Sequence, residues 1–209
     1  MTKESVGARR KREILAAAAD LSTAEGLGGL SFSRIAEEVG LTKAGVAAHF
    51  DSKEALQLAV IESAAAAYAA PLILAAKSSE PGLPRLLALA LAWLTHLEGI
   101  EYRGGCFFAS AGLAFAANRG PVHDSIAKFT RDFLETLEEQ SRLAARLGEL
   151  SPDISHEILA FQIHALAQEA NLRRELLGVT DAFVLARHAL TDLITRASSI
   201  TADPLEGTR

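Results

Sequence analysis

The chain has 209 residues with 21 basic and 26 acidic side chains, a formal net charge of −5, which argues against a surface coated uniformly for nucleic acid. Apolar residues make up 49%, enough for a sizeable core in one or two domains, and the single cysteine excludes an internal disulfide framework. Ala and Leu dominate, and no stretch alternates apolar with polar residues as a half-exposed strand would, so the expected class is all-α.

The charge is unevenly spread. Residues 1–53 hold eight Lys/Arg and seven Asp/Glu, and residues 1–12 hold five basic side chains to one acidic. The rest of the chain is acidic, so positive charge is concentrated at the N-terminus. Residues 1–7 read as a flexible arm. No apolar core of signal-peptide type follows the basic residues, and the apolar run 86–94 is far shorter than the roughly 20 residues of a membrane span. The expectation is a cytoplasmic protein with no membrane contact.

A first helix is expected over residues 8–24, with Ile14, Leu15, Ala18 and Leu21 on one face and Gly26, Gly28 and Gly29 behind it. Residues 31–53, SFSRIAEEVGLTKAGVAAHFDSK, then read as two short helices and the start of a third. Ser31 can cap the first, whose Phe32, Ile35, Ala36 and Val39 share an apolar face. Gly40 supplies the positive φ that ends a helix without steric penalty. Leu41 plugs the corner, Thr42 caps the next helix over residues 42–49, and Val46 and Phe50 lie on its buried side. Asp51 with Glu54 has the form of a capping box. A short helix, a glycine-bearing turn and a second short helix make the helix-turn-helix layout, whose second helix enters the DNA major groove.

The next helix starts near Ser52 with Leu56, Val60 and Ala67 along one side, and Pro71 is expected to kink or end it. Residues 77–84 are a loop by composition. Residues 84–97 are apolar almost all round and should be buried. A turn at 102–105 leads to an apolar helix over 106–117, and an amphipathic helix follows over 122–147. Its inward residues are Ile126, Phe129, Phe133, Leu137, Ala144 and Leu147, and Gly148 closes it. Ser151 is expected to cap a helix that has Pro152 at its first position and runs over 153–177; the last helix covers 180–199. Both carry two apolar stripes: Ile158, Phe161, Ala165 and Leu172 beside Leu159, Ile163, Leu166 and Ala170 in the first. A surface helix needs one stripe, so a second implies burial against a partner subunit.

The run IAEEVGLTKAGVAAHFDSKEAL resembles the DNA-binding segment of TetR-type transcriptional regulators, in which Ile35, Ala36, Gly40, Thr42, His49, Phe50, Ser52, Lys53, Glu54 and Leu56 fall at the expected spacings. The segment GGCFFASAGLAFAANRGPVHD over 104–124 is similar to an effector-domain block of one TetR-type subgroup. The resemblance implies a DNA-binding domain at 1–53 and an effector-binding and dimerisation domain at 54–209. It also implies a ligand-responsive repressor that binds a palindromic operator as a homodimer, pairs through its last two long helices, and is released by a small hydrophobic effector. DNA contacts are then expected from Arg10, Arg12, Ser31, Thr42, Lys43, Gly45, Ala47, His49 and Lys53. The sequence departs from the family pattern at Ala47 and Ala48, where aromatic residues are common. His49 fits a DNA contact or a structural place at the domain junction.

Effector contacts are expected from Trp93, His96, Cys106, Phe107, Phe115, Phe129, Phe133, His164 and Gln168, aromatic walls with sparse polar groups as a ligand pocket requires. The same residues also suit a plain core. No metalloprotease, phosphate-loop, nucleophile-elbow or paired-cysteine motif occurs, and no two histidines stand four apart on a helix. No enzyme activity, cofactor or metal is expected. The alternatives are an all-helical small-molecule binding protein or enzyme that has lost DNA binding, and an activator without effector.

Overall fold

The computed structural model describes residues 5–198, which form nine α-helices and no strand. The helices are α1 (Val6–Glu25), α2 (Phe32–Val39), α3 (Lys43–Ala47), α4 (Lys53–Lys77), α5 (Leu83–Glu98), α6 (Phe107–Phe115), α7 (Pro121–Arg146), α8 (His156–Leu177) and α9 (Ala182–Ala197), with a 3-10 turn at Leu27–Gly29. They group into two compact units. Among the described residues, one holds 5–70 with 99–132, the other 71–98 with 133–198.

In the first unit α1 packs on α2 and α6, and α2 on α3. Ile14, Ala18, Leu21, Leu27, Leu30, Ile35, Val46 and Phe50 are buried there, followed by Leu56, Val60, Ile61, Ala64 and Tyr68 of α4. Each fully buried aliphatic or aromatic side chain contributes roughly 1.5–3 kcal/mol from water exclusion, which is what holds helices as short as α2 and α3 in place. Gln57 donates from its amide to the Leu27 carbonyl at 2.9 Å and so satisfies a buried polar group of the 3-10 turn.

Several expectations are corrected. The arm predicted at 1–7 is helical from Val6, because the Ser5 hydroxyl accepts the Ala8 N–H and caps α1; residues 1–4 lie outside the described residues. The cap of α4 is Ser52, whose hydroxyl accepts from Ala55 N–H at 3.0 Å, rather than Asp51. Ala67 is exposed, and Tyr68 takes the inward position. Pro71 does not end α4. Its missing N–H would have bonded the carbonyl of Ala67, and that residue faces water, which can take the unused acceptor.

α4 also carries a longer apolar stretch than 86–94. An 18-residue window within it has a mean hydropathy of 1.8, so by length and composition alone this helix could cross a bilayer. Much of that value comes from alanine, and the N-terminal half of α4 is a packed core helix.

In the second unit α5 packs on α8 and α9, and α8 and α9 pair along their length. Leu86, Leu89, Ala90, Trp93, Leu94 and Leu97 of α5 are buried, as expected of a helix apolar all round. Ser151 is not a helix cap. Its N–H donates to the Ala197 carbonyl at 2.9 Å, which ties the segment after α7 to the end of α9, and Pro152 lies in the turn that follows. Ser155 caps α8 instead, accepting from Ile158 N–H at 3.2 Å. Leu147, predicted inward, is 57% exposed beyond the end of α7. The last helix ends at Ala197, and position 199 of its predicted span lies outside the described residues.

Candidate nucleic-acid interface

The helix-turn-helix is built by local chemistry. The Ser31 hydroxyl accepts from Arg34 N–H at 3.1 Å and starts α2. Gly40 ends it at φ 65°, in the left-handed region. The Thr42 hydroxyl accepts from Gly45 N–H at 3.0 Å and starts α3. A Cβ at Gly45 would stand 3.2 Å from that hydroxyl oxygen, so a small residue there lets the cap close.

α3 spans five residues, shorter than the predicted 42–49. Past Ala47 the chain tightens into turns in which His49 N–H donates to the Val46 carbonyl and Phe50 N–H to that of Ala47, both at 3.1 Å. Phe50 turns inward because its ring stacks with Phe32 at 6.5 Å, and Lys11 Nζ lies 5.6 Å over its face.

The residues expected at DNA fall into distinct situations. Thr42 and Lys43 are exposed at the start of α3, and Ser31 and Arg12 are exposed as well. Gly45, Ala47 and His49 are half-buried, and the His49 ring lies 6.2 Å from Phe50. Arg10 is half-buried and pairs with Glu13 at 3.2 Å. Lys53 is exposed, yet its ammonium donates to the Gly28 carbonyl at 2.7 Å, so it also braces the turn ahead of α2.

The residues expected at an effector divide between the two units. In the first, Cys106 and Phe107 are fully buried, and Phe107 N–H donates to the Tyr68 hydroxyl at 2.9 Å. Phe129 stacks on Phe108 at 3.7 Å, with Tyr68 edge-on to both rings. Burial pushes the Tyr68 phenol well above its ordinary value and keeps it neutral. Phe115 is apart from this cluster, with its ring against Gly28 of the 3-10 turn. In the second unit Trp93 stacks near Phe133 at 4.6 Å and near His164 at 6.4 Å. Burial lowers the pKa of His164 and of His96. A neutral His164 can accept from the Gln168 amide, whose nitrogen is 3.3 Å from Nε2.

Sequence reasoning missed Tyr68 and a set of charged residues. Tyr68 had a signal, since it continues the i, i+4, i+8 series from Val60 through Ala64. Asp20, Glu38 and Arg103 had none. They are joined across 65 and 83 residues of sequence, a juxtaposition that only folding creates. No group of three metal-ligating side chains occurs among the described residues.

The comparisons agree with this geometry. Residues 14–60 match the family model of bacterial regulatory proteins of the tetR family, and residues 82–190 that of the tetracyclin repressor-like C-terminal domain. A TetR transcriptional regulator from Chloroflexus aurantiacus superposes with a TM-score of 0.81 at 23% identity, over 91% of this chain and 96% of that one. A TetR-family regulator from Cytophaga hutchinsonii gives 0.77 at 18% identity, over 94% and 98%. The reduced form of NemR from E. coli gives 0.72 at 21%, over 93% and 99%. No curated protein sequence matches the chain. The family models together cover more than half of the sequence and coincide with the helix-turn-helix and the helices that follow it, so the chain belongs to the TetR family of DNA-binding transcriptional regulators.

Proposed function

We propose that this regulator is a homodimeric repressor acting in the cytoplasm, with its DNA contacts in residues 1–53 and effector binding and dimerisation in residues 54–209. The observation that carries the reading is the helix-turn-helix itself. Both short helices are capped, the inner face is closed by Ile35, Val46 and Phe50, and Thr42 and Lys43 are left exposed at the start of α3. Two such helices in a dimer address half-sites about 34–36 Å apart on one face of the duplex.

Support for dimerisation comes from α8 and α9. Ile158, Phe161, Leu172 and Leu176 of α8 and Leu185 of α9 are exposed apolar side chains. A shallow groove of about 340 Å³ runs between the helices past Phe161, Ala165, Leu166, Ala189 and Leu193. An apolar surface of this kind on paired helices marks an interface. The Trp93–Phe133–His164 cluster supports a small, largely apolar effector, with Gln168 and His164 as the polar groups that orient it. Such a ligand lowers DNA affinity by its differential affinity for the conformer that fits DNA less well.

The test is footprinting of the intergenic DNA beside the protein's own gene, with Lys43→Ala and Lys53→Ala in parallel. A short protected palindrome, weakened by both substitutions and by added salt, is expected. Absence of protection there and across a genomic fragment library would overturn the reading.

A further inference from the structure

The turn between α5 and α6 carries a side chain that the helix-turn-helix motif does not account for. The Arg103 guanidinium reaches two helices of the DNA-binding region. Its Nε lies 3.0 Å from Asp20 Oδ2 on α1, and its terminal nitrogens pair with the Glu38 carboxylate near the end of α2. The backbone joins in, with Arg103 N–H donating to Asp20 Oδ1 at 2.8 Å and Gly104 N–H to the Thr23 hydroxyl at 3.0 Å. Gly104 approaches α1 so closely that a Cβ there would stand 2.2 Å from the Thr23 carbonyl oxygen. Glu38 also takes Arg34 at 3.0 Å, and Arg34 reaches Glu25 at 2.8 Å. Charges alternate along this series from α1 to α2, with Arg103 as the member from outside the motif.

Exposed ion pairs add little to global stability. What a planar fork across two carboxylates supplies is geometry, because it fixes the separation and direction of both partners. That matters for helices of eight and five residues, which have no stable orientation of their own. A recognition element must be held within about 0.5 Å and 10–20° of its productive position. α2 is pinned through Ile35 and Ala36 on its inner face and through Glu38 at its end.

We propose that Arg103 is a positioning residue for DNA binding, which bridges Asp20 and Glu38 to hold α1 and α2 in the arrangement that presents α3, without touching DNA itself. The proposal rests on the reading of the chain as an operator-binding regulator. The carboxyl of Glu38 is held below its ordinary pKa chiefly by the Arg103 hydrogen bond, consistent with a formed bridge.

The experiment measures operator affinity of the full-length protein on the footprinted site for wild type, Arg103→Gln, Glu38→Gln and the double variant. Melting midpoint and far-UV circular dichroism are recorded on each. Each single change is expected to weaken binding about 5- to 10-fold. The two losses should combine to less than their sum, because both changes remove the shared Arg103–Glu38 pair. Midpoint, helicity and the slope of affinity against salt should stay at wild-type values. If Arg103→Gln does not fold, Asp20→Asn, which keeps the acceptor for the backbone N–H, gives the same readout with a smaller loss.

Wild-type affinity in Arg103→Gln, or in Asp20→Asn where that variant stands in, overturns the proposal alone. So do additive losses with a salt slope reduced by about one, which would make Arg103 a direct phosphate contact, and so does a fall in midpoint that parallels the loss of affinity. Wild-type protein that binds no DNA fails the underlying reading first, and the proposal with it.

Discussion

Two glycines show how differently a missing side chain is used. Gly40 sits at φ 65° with nothing within 4 Å of where a Cβ would stand, so its role is backbone conformation alone. Gly40→Ala should cost about 1–2 kcal/mol through left-handed strain, read as a lower midpoint in denaturant with the fold retained. Gly104 has ordinary φ but stands against the Thr23 carbonyl. Gly104→Ala must push the 102–105 turn off α1, and a larger loss of stability than that of Gly40→Ala is expected under the same denaturation. The lysines separate in the same way. Lys43 is exposed with no role in a cap, whereas Lys53 braces the Gly28 carbonyl. Lys43→Ala should lower the salt slope of operator binding by about one with the melting midpoint unchanged. Lys53→Ala should lower both, and a midpoint equal to wild type would contradict the bracing role.

At the scale of elements, α5 and α8 each hold a half-buried imidazole, His96 and His164. His164 lies beside Trp93 and Phe133, and burial lowers its pKa as it does that of His96. In the unfolded chain an imidazole titrates near 6.5, so below about that pH the unfolded state binds more protons than the folded one. Their contribution to stability is therefore complete above about pH 6.5 and is lost as pH falls below it. Denaturation midpoints at pH 7.5 and 5.5 should show the loss, and His164→Gln should reduce it. An equal loss in the variant would contradict the assignment. α4 has another balance, in which a proline inside a 25-residue helix is tolerated because the unused carbonyl belongs to an exposed alanine.

For the whole molecule, the outward stripe of α8 is the surface proposed for the dimer. Phe161 is 69% exposed and Leu176 72%, positions a lone surface helix would give to polar residues. Phe161→Asp places a charge at the centre of the proposed interface and leaves the inner stripe of Leu159 and Ile163 intact. Sedimentation at micromolar concentration should give a dimer for wild type and a monomer for the variant, with helicity unchanged. A wild-type monomer would refute the dimer.

Local chemistry made much of this protein legible from its sequence. Caps at Ser31 and Thr42, the stop at Gly40 and the periodic apolar faces act within a few residues, so spacing alone located the helix-turn-helix, the nearly continuous run of helices and the double stripe of α8. Boundaries failed where a distant partner competed. Ser151 was drawn from its expected cap by the Ala197 carbonyl, and Ser155 took its place. Residue type marks an effector candidate without fixing its neighbours: Phe115 lies against the 3-10 turn, while Phe129 stacks on Phe108. The bridge from Arg103 to Asp20 and Glu38 was invisible for the same reason. An exposed arginine carries no periodic signal, and its partners become neighbours only when the turn after α5 closes on α1 and α2. Short-range hydrogen bonding and side-chain period belong to the sequence, while which charge meets which across the chain belongs to the tertiary fold.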